Sequence, residues 1–377
     1  DAKVPLGLWS NDKNGSTLFE IASFLARNNF NSVRLPVSIE SVLTNSPPNK
    51  TLVSANENLA LNLATFMTTL QSIIQGLAQQ QISVLISLHT LSPSDAGVSR
   101  YNEEISEGLY LDAIDTLTSN LCSKDYWNVL GLDLKNEPAQ SMWGDDSETD
   151  FRAAATRMGD RMLDGCSKWL AFVEGNSESR EWTSPTTRKQ YLFEDWWGGG
   201  LSKAKESPVT LSIPDKVVYA PHYFSPSVYP SSYFYQEDGV TELSDKELEE
   251  NLEGTFDTMF GYLAKESDSP ALVLGEFGGL YAADAHPKKT SRRVFGYIVE
   301  LISQTSGFAG GYVWSLNPES GFDYNVVKAS PGSQFHEGLV QNDWRTANAP
   351  LLKALEPLDS MPNLSKLQCF KKKFRLR

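Results

Sequence analysis

The sequence predicts a parallel α/β barrel with its chemistry at the carboxyl ends of the strands. Three observations carry this. Strand-like apolar runs alternate with helical stretches, the pattern of βα units joined by right-handed crossovers. Nearly every run ends on a polar or aromatic side chain, and two end on glutamates, Glu137 and Glu276. Loops leaving that rim of a barrel converge on one pocket, so residues there are catalytic candidates by address. A flavodoxin-like open sheet would instead gather polar groups at one switch point.

The elements follow in order. Residues 16–28 space Leu18, Phe19, Ile21, Ala22, Phe24 and Leu25 as a helix does, with Ser16 as its cap. Asn31-Ser-Val-Arg-Leu-Pro-Val-Ser reads as a strand ending near Arg34, and a long helix over about 56–80 leads to a strand ending on His89. A helix over about 105–122 precedes the run from Asn128 to Asp133, which is too short for a helix and is closed by Pro138, so that Glu137 lies at its end. Residues 151–168 read as a helix and Trp169 to Gly175 as a strand carrying Glu174. A long loop then carries Trp182, Trp196 and Trp197. Strands ending on His222, Glu276 and Trp314 follow, separated by helices over about 248–265 and 291–304. The count is seven strands. Pro5 and Gly7 interrupt the first ten residues, so no strand is expected ahead of the first helix, and a gap is expected between the strands of Arg34 and Trp314. Residues 1–355 are expected to form the catalytic domain, truncated at its amino end, and 356–377 an extension with a basic tail.

Composition bounds the function. The 377 residues carry a net charge of −14, which disfavours nucleic acid and anionic lipid as partners. Lys371, Lys372, Lys373, Arg375 and Arg377 form a basic end that reads as a solvated tail, with a membrane-surface or nucleic-acid patch as the alternative. No apolar run approaches the ~18 residues of a membrane span. A monomer is expected. The three cysteines lack metal-ligand spacing. Cys122 and Cys166 each close a helical stretch just before a strand, and successive barrel helices end side by side, so these two can bridge; Cys369 should stay unpaired. Sequons at Asn14, Asn49 and Asn363 permit glycosylation of a secreted chain.

The strand ends collect Arg34, His89, Asn136 with Glu137, Glu174, His222, Glu276 and Trp314. Hydrolysis of a glycosidic bond needs a protonated acid for the leaving oxygen and an ionised carboxylate across the sugar ring, and Glu137 and Glu276 fit that need. Arg34 and His222 suit keeping one carboxylate ionised, and Asn136 can donate to a sugar hydroxyl. Asp133 lies four residues below Glu137, about 13 Å at strand rise, and reads as too deep to reach substrate; Glu174 is nearer the rim and is the stronger competitor. Aromatic rings cover the flat faces of sugars, which makes Trp314 a platform candidate, with Trp196 and Trp197 behind it.

The ordered set Asn31-Ser-Val-Arg-Leu-Pro, Leu134-Lys-Asn-Glu-Pro, Phe172-Val-Glu-Gly, Trp196-Trp-Gly-Gly, Ser227-Val-Tyr-Pro, Leu274-Gly-Glu-Phe-Gly, Trp314-Ser-Leu-Asn-Pro-Glu-Ser-Gly and Asn342-Asp-Trp resembles glycoside hydrolase family 5, near its bacterial endoglucanase branch and eukaryotic relatives. The resemblance spans roughly residues 6–350. It implies a (β/α)8 barrel and retaining hydrolysis of β-glucosidic bonds in a polysaccharide substrate, without cofactor or metal. Glu137 matches the acid/base and Glu276 the nucleophile. Arg34, His89, Asn136, His222 and Trp314 match the set around the cleaved sugar, and Trp9 and Trp196 fall where relatives place platforms. Two departures stand out: Phe224 replaces a tyrosine whose hydroxyl contacts the nucleophile, and the first strand is missing. A secreted endo-β-1,4-glucanase is expected. The alternatives are a β-1,3-glucanase, a β-mannanase, or a carbohydrate-binding protein that has lost turnover.

Overall fold

The computed structural model describes residues 16–361 apart from 95, 96, 98 and 99. Trp9, the first ten residues, Cys369 and the basic tail lie outside them. Strands β1 (Ser32–Ser38), β2 (Ser83–Thr90), β3 (Val129–Asp133), β4 (Leu170–Val173), β7 (Val217–Tyr219), β9 (Ala271–Gly278) and β10 (Phe308–Trp314) pair in that order, all parallel. A short strand β8 (His222–Phe224) continues β7 after a break at Ala220 and Pro221, and pairs with β9. The seven predicted strands are therefore present, with β7 and β8 as one interrupted strand. Among the described residues β1 and β10 are the sheet's edges and share no ladder, and Ser32 Oγ and Tyr312 Oη hydrogen-bond across the gap at 2.8 Å.

Helices α1 (Leu18–Arg27), α2 (Ile39–Thr44), α3 (Phe66–Gln79), α4 (Glu107–Leu121), α5 (Phe151–Gly165), α6 (Asp245–Met259), α7 (Thr290–Gln304) and α8 (Ala349–Leu355) complete the chain. The sheet's inner face buries Leu85, Phe172, Val218 and Ala220, while the larger core lies between sheet and helices. Residues 356–361 continue onto the same body: Met361 is buried, and Asn29 donates to Asp359 at 2.8 Å.

Several boundaries move, for local reasons. Thr17, not Ser16, caps α1 through a capping box with Glu20. The long helix expected over 56–80 begins only at Phe66. Asn58 instead accepts the Leu18 N–H at 2.9 Å, Asn62 accepts the Ala64 N–H, and Thr65 caps α3. Short polar side chains that bond backbone outside the helix compete with it. The long loop after β4 holds a hairpin, β5 (Ser179–Thr183) with β6 (Gln190–Glu194), in which Trp182 stacks on Tyr191.

Cys122 and Cys166 follow directly on α4 and α5 and are bonded, with Cα atoms 5.7 Å apart. The bridge closes a 44-residue separation. Its loss through Cys166→Ser should therefore lower unfolding free energy by about 4 kcal/mol on loop-closure grounds. Chemical denaturation of the variant against the oxidised parent measures this, and coincident midpoints would count against the bridge as a stabiliser.

Candidate active site

The site forms where β1, β2, β3, β4, β8, β9 and β10 point their carboxyl ends. His222 and Glu276 are directly paired in the β8–β9 register, so they stand side by side. Glu137 lies past the end of β3 and has a left-handed backbone, φ 46°. An oxygen of Glu137, an oxygen of Glu276 and a ring nitrogen of His222 all fall within 4.8 Å of one another. The two predicted glutamates therefore share one cleft. Glu276 is buried, whereas the Glu137 side chain keeps 20% of its surface open.

Arg34 joins the constellation from the third residue of β1 rather than from the strand's end, because its side chain is long enough to reach up from below. Its Nε donates to Asp133 at 2.8 Å, Nη1 to Glu276, and Nη2 to Asn136 at 2.7 Å and to Glu174 at 3.0 Å. Burial alone would favour loss of its proton, but the carboxylates of Asp133, Glu276 and Glu174 hold its pKa above the ordinary value. The fork geometry of a guanidinium makes this multiple contact available. Asp133 does not reach the cleft, as expected from its depth, yet it anchors the cation that does.

Glu174 corrects the sequence reading more sharply. It was expected nearer the rim, but it is fully buried, and β4 ends one residue earlier, at Val173. Its Oε2 accepts the Glu137 backbone N–H at 2.8 Å, and its Oε1 lies 3.1 Å from His222 Nε2, off line for a straight hydrogen bond. Burial pushes its pKa up, against the pull of His222 and Arg34. Burial also raises Glu276, with His222 and Arg34 opposing. For His222 burial works the other way, but the charges of Glu174 and Glu276 outweigh it and push the pKa up to about 10. His89 is held well below its usual range by burial and by nearby Arg34 and Lys135.

The aromatic candidates separate. Trp314 lies parallel to His89, with ring centroids 5.9 Å apart and planes within 5°. Trp197 is half exposed. Trp196 is buried against Tyr223, Phe224 and Phe234, so it packs beneath the site and presents no open face to a sugar. Phe224 stands edge-on to His222 at 6.0 Å.

Sequence reasoning passed over Lys135, which is buried and donates to the backbone carbonyls of His89 at 3.3 Å, Gly97 and Asn136. It ties the end of β2 to the residue beside Glu137. Its place inside Leu134-Lys-Asn-Glu-Pro was the available signal, since a lysine two residues from a buried strand must find acceptors.

Comparisons with known proteins agree with this geometry. The endoglucanase of Paenibacillus polymyxa is 30% identical over 349 residues, covering 91% of this chain and 76% of that relative. The major extracellular endoglucanase of Xanthomonas campestris pv. campestris is 29% identical, covering 87% of this chain and 60% of its own length. Among solved structures, the endocellulase of Pyrococcus horikoshii in complex with cellotetraose superposes with a TM-score of 0.74 at 27% identity, covering 95% of this chain and 89% of that one. The catalytic domain of the Xanthomonas campestris enzyme gives a TM-score of 0.71 at 26% identity, covering 90% and 87%. The family model described as cellulase (glycosyl hydrolase family 5) matches residues 2–320. Because that match spans well over half of the 377 residues, the chain belongs to the cellulases of glycosyl hydrolase family 5.

Proposed function

We propose that the protein is a retaining endo-β-1,4-glucanase that cleaves internal bonds of cellulose or related β-glucans, acting as a monomer outside the cell. The observation that carries this reading is the short span between the carboxylates of Glu137 and Glu276, whose nearest oxygens lie within 4.8 Å. Inverting enzymes need about 6.5–9.5 Å to admit a water, whereas retaining pairs stand about 5–5.5 Å apart.

In the first step Glu276 attacks the anomeric carbon while Glu137 gives its proton to the departing glycosidic oxygen. In the second, Glu137 takes a proton from water as that water attacks the same carbon and frees Glu276. Arg34 occupies Asn136 Oδ1, which leaves the amide N–H groups to donate to a sugar hydroxyl. Trp314, stacked on His89, and the half-exposed Trp197 are the rings available to cover sugar faces. The Cys122–Cys166 bridge and a relative named as extracellular support an oxidising destination. No helix among the described residues is long and apolar enough to cross a membrane.

The test sets carboxymethylcellulose beside laminarin and mannan. The expected result is a rapid fall in viscosity of the cellulose derivative with slower release of reducing ends. Cleavage confined to laminarin or mannan would move the linkage, and binding without turnover on all three would overturn the enzymatic reading.

The phenylalanine at 224 gives a second measurement. Phe224→Tyr should place a hydroxyl donor beside Glu276, stabilise its ionised form and lower its pKa. The acid limb of kcat/KM then moves to lower pH by roughly one unit, the equivalent of one moderate charge-assisted bond. Superimposable pH–rate profiles for the two proteins would show that the hydroxyl has no part here.

A further inference from the structure

Glu174 touches no open surface, so it cannot meet substrate, yet it contacts three members of the site at once. One oxygen accepts the backbone N–H of Glu137, and the other faces Arg34 Nη2 at 3.0 Å and His222 Nε2 at 3.1 Å. Arg34 already has Asp133 and Glu276 as counter-charges. A third buried carboxylate is costly if its only task is to balance that arginine. Two further features point to another task. The backbone of Glu137 is left-handed, which non-glycine residues adopt rarely and which persists when the surroundings hold it. The Trp-Trp-Gly loop turns at Gly198, φ 80°, where any side chain would collide with Glu174 Oε2 and stand 3.2 Å from the His222 ring. The chain thus keeps this position empty to let carboxylate and imidazole meet.

We propose, on the reading of the site given above, that Glu174 is a positioning residue for the hydrolysis. It fixes the turned backbone that aims the Glu137 carboxyl into the cleft, and it holds the His222 ring protonated on both nitrogens so that Nδ1–H faces Glu137.

The charges around His222 favour that state. Glu174 reaches it from just past β4, Glu137 from the β3 loop with Nδ1 at 3.1 Å, and Glu276 from β9 at 3.9 Å. The opposing groups are Arg34 on β1, which shares Glu174 Oε1 with the ring, and His89 on β2. Phe224, on the same strand, adds only a ring edge. The His222 pKa, pushed up to about 10, agrees with a ring that stays cationic through neutral pH. When Glu137 has given its proton to the leaving oxygen, it is a carboxylate facing a fixed N–H donor. The ring transfers no proton itself, so Glu137 is free to take one back from water.

Imidazole nitrogen NMR of the unmodified protein is the first test, with the signal assigned through a His222→Asn variant. Both ring nitrogens should be protonated at pH 7, and the ring should titrate above pH ~9, well beyond the ordinary histidine value. Titration near pH 6.5 would overturn the proposal. The second test compares E174Q and E174D on a soluble β-glucan. E174Q should lower kcat by about 10²-fold with KM changed by less than about threefold, and move the alkaline limb to lower pH, because the ring loses its counter-charge. E174D keeps the charge at shorter reach, so its alkaline limb should stay near the parent's while kcat falls. An E174Q enzyme with unchanged kcat and unchanged limb would refute the role. Should E174Q fail to fold, the titration of the unmodified protein still decides. Should the parent hydrolyse no glucan, the proposed function falls, while the ring titration tests Glu174 independently.

Discussion

Glu276→Gln is expected to lower kcat on soluble cellulose derivatives by at least ~10⁴-fold, the scale seen when a nucleophile is removed from a group of residues that act together. The loss should come without unfolding. Glutamine matches glutamate in size and shape, and its oxygen still accepts from Arg34. Asp133 and Glu174 remain to balance the guanidinium. The change therefore removes the attacking charge and little else. Loss of turnover with retained binding of a cello-oligosaccharide, measured by calorimetry, is the expected pair of results. A variant keeping more than about one per cent of parental turnover would remove Glu276 from the role of nucleophile.

How much of this was legible in the sequence depends on whether a residue acts through its own strand or through other strands. Glu276 and His89 stand within two residues of a strand's carboxyl end, Glu137 lies beyond one, and His222 follows the break between β7 and β8; the alternation of apolar runs with turn residues locates such positions without any knowledge of neighbours. Their convergence follows from the barrel's geometry. Arg34 was found although its strand runs on to Ser38, since a side chain that long spans the difference. Asp133 and Glu174 were harder. Which buried carboxylate meets which cation is set by the registers of β1 with β2, β2 with β3 and β3 with β4, and no local pattern records three registers at once. The depth argument put Asp133 out of reach of substrate, which holds, but it was silent on what Asp133 would hold in place.

The aromatic residues show the same limit from the other side. Trp196 and Trp197 are adjacent and chemically identical, yet one is buried and the other half exposed. The difference comes from the aromatic cluster of Tyr223, Phe224 and Phe234, assembled from segments distant in sequence. The hairpin formed by β5 and β6 escaped for a further reason. Its two strands flank a six-residue turn without the Asn-Gly or Asp-Gly signal of a two-residue loop.

Replacing Arg34 by leucine should cost more than any other single change at the site in stability. The guanidinium is buried and is the shared partner of Asp133, Glu174 and Glu276. Removing one partner of a buried ion pair leaves an uncompensated charge and costs about 3–5 kcal/mol, and here three carboxylates lose the same cation. For a chain of this length that cost lowers Tm by about 5 °C. The pH dependence gives the sign. Glu174 and Glu276 already have pKa values above the ordinary carboxylate range through burial, and loss of the cation raises both further. A carboxyl whose folded pKa exceeds its unfolded value contributes stability that is fully present below the unfolded value and is lost as pH rises through the folded one. The deficit of Arg34→Leu relative to the parent should therefore be smallest near pH 4 and grow toward neutral pH. Activity carries the same sign: Glu276 must be ionised to attack, so the acid limb of the pH–rate profile moves to higher pH. Arg34→Lys keeps the charge but cannot direct donors to Asp133, Asn136, Glu174 and Glu276 together, and should fall between leucine and the parent in both measurements. Thermal unfolding across pH 4–8 would read the effect directly. A leucine variant as stable as the parent at pH 7, with an unmoved acid limb, would mean that these carboxylates are neutral in the resting enzyme and that Arg34 does not set the charge on Glu276.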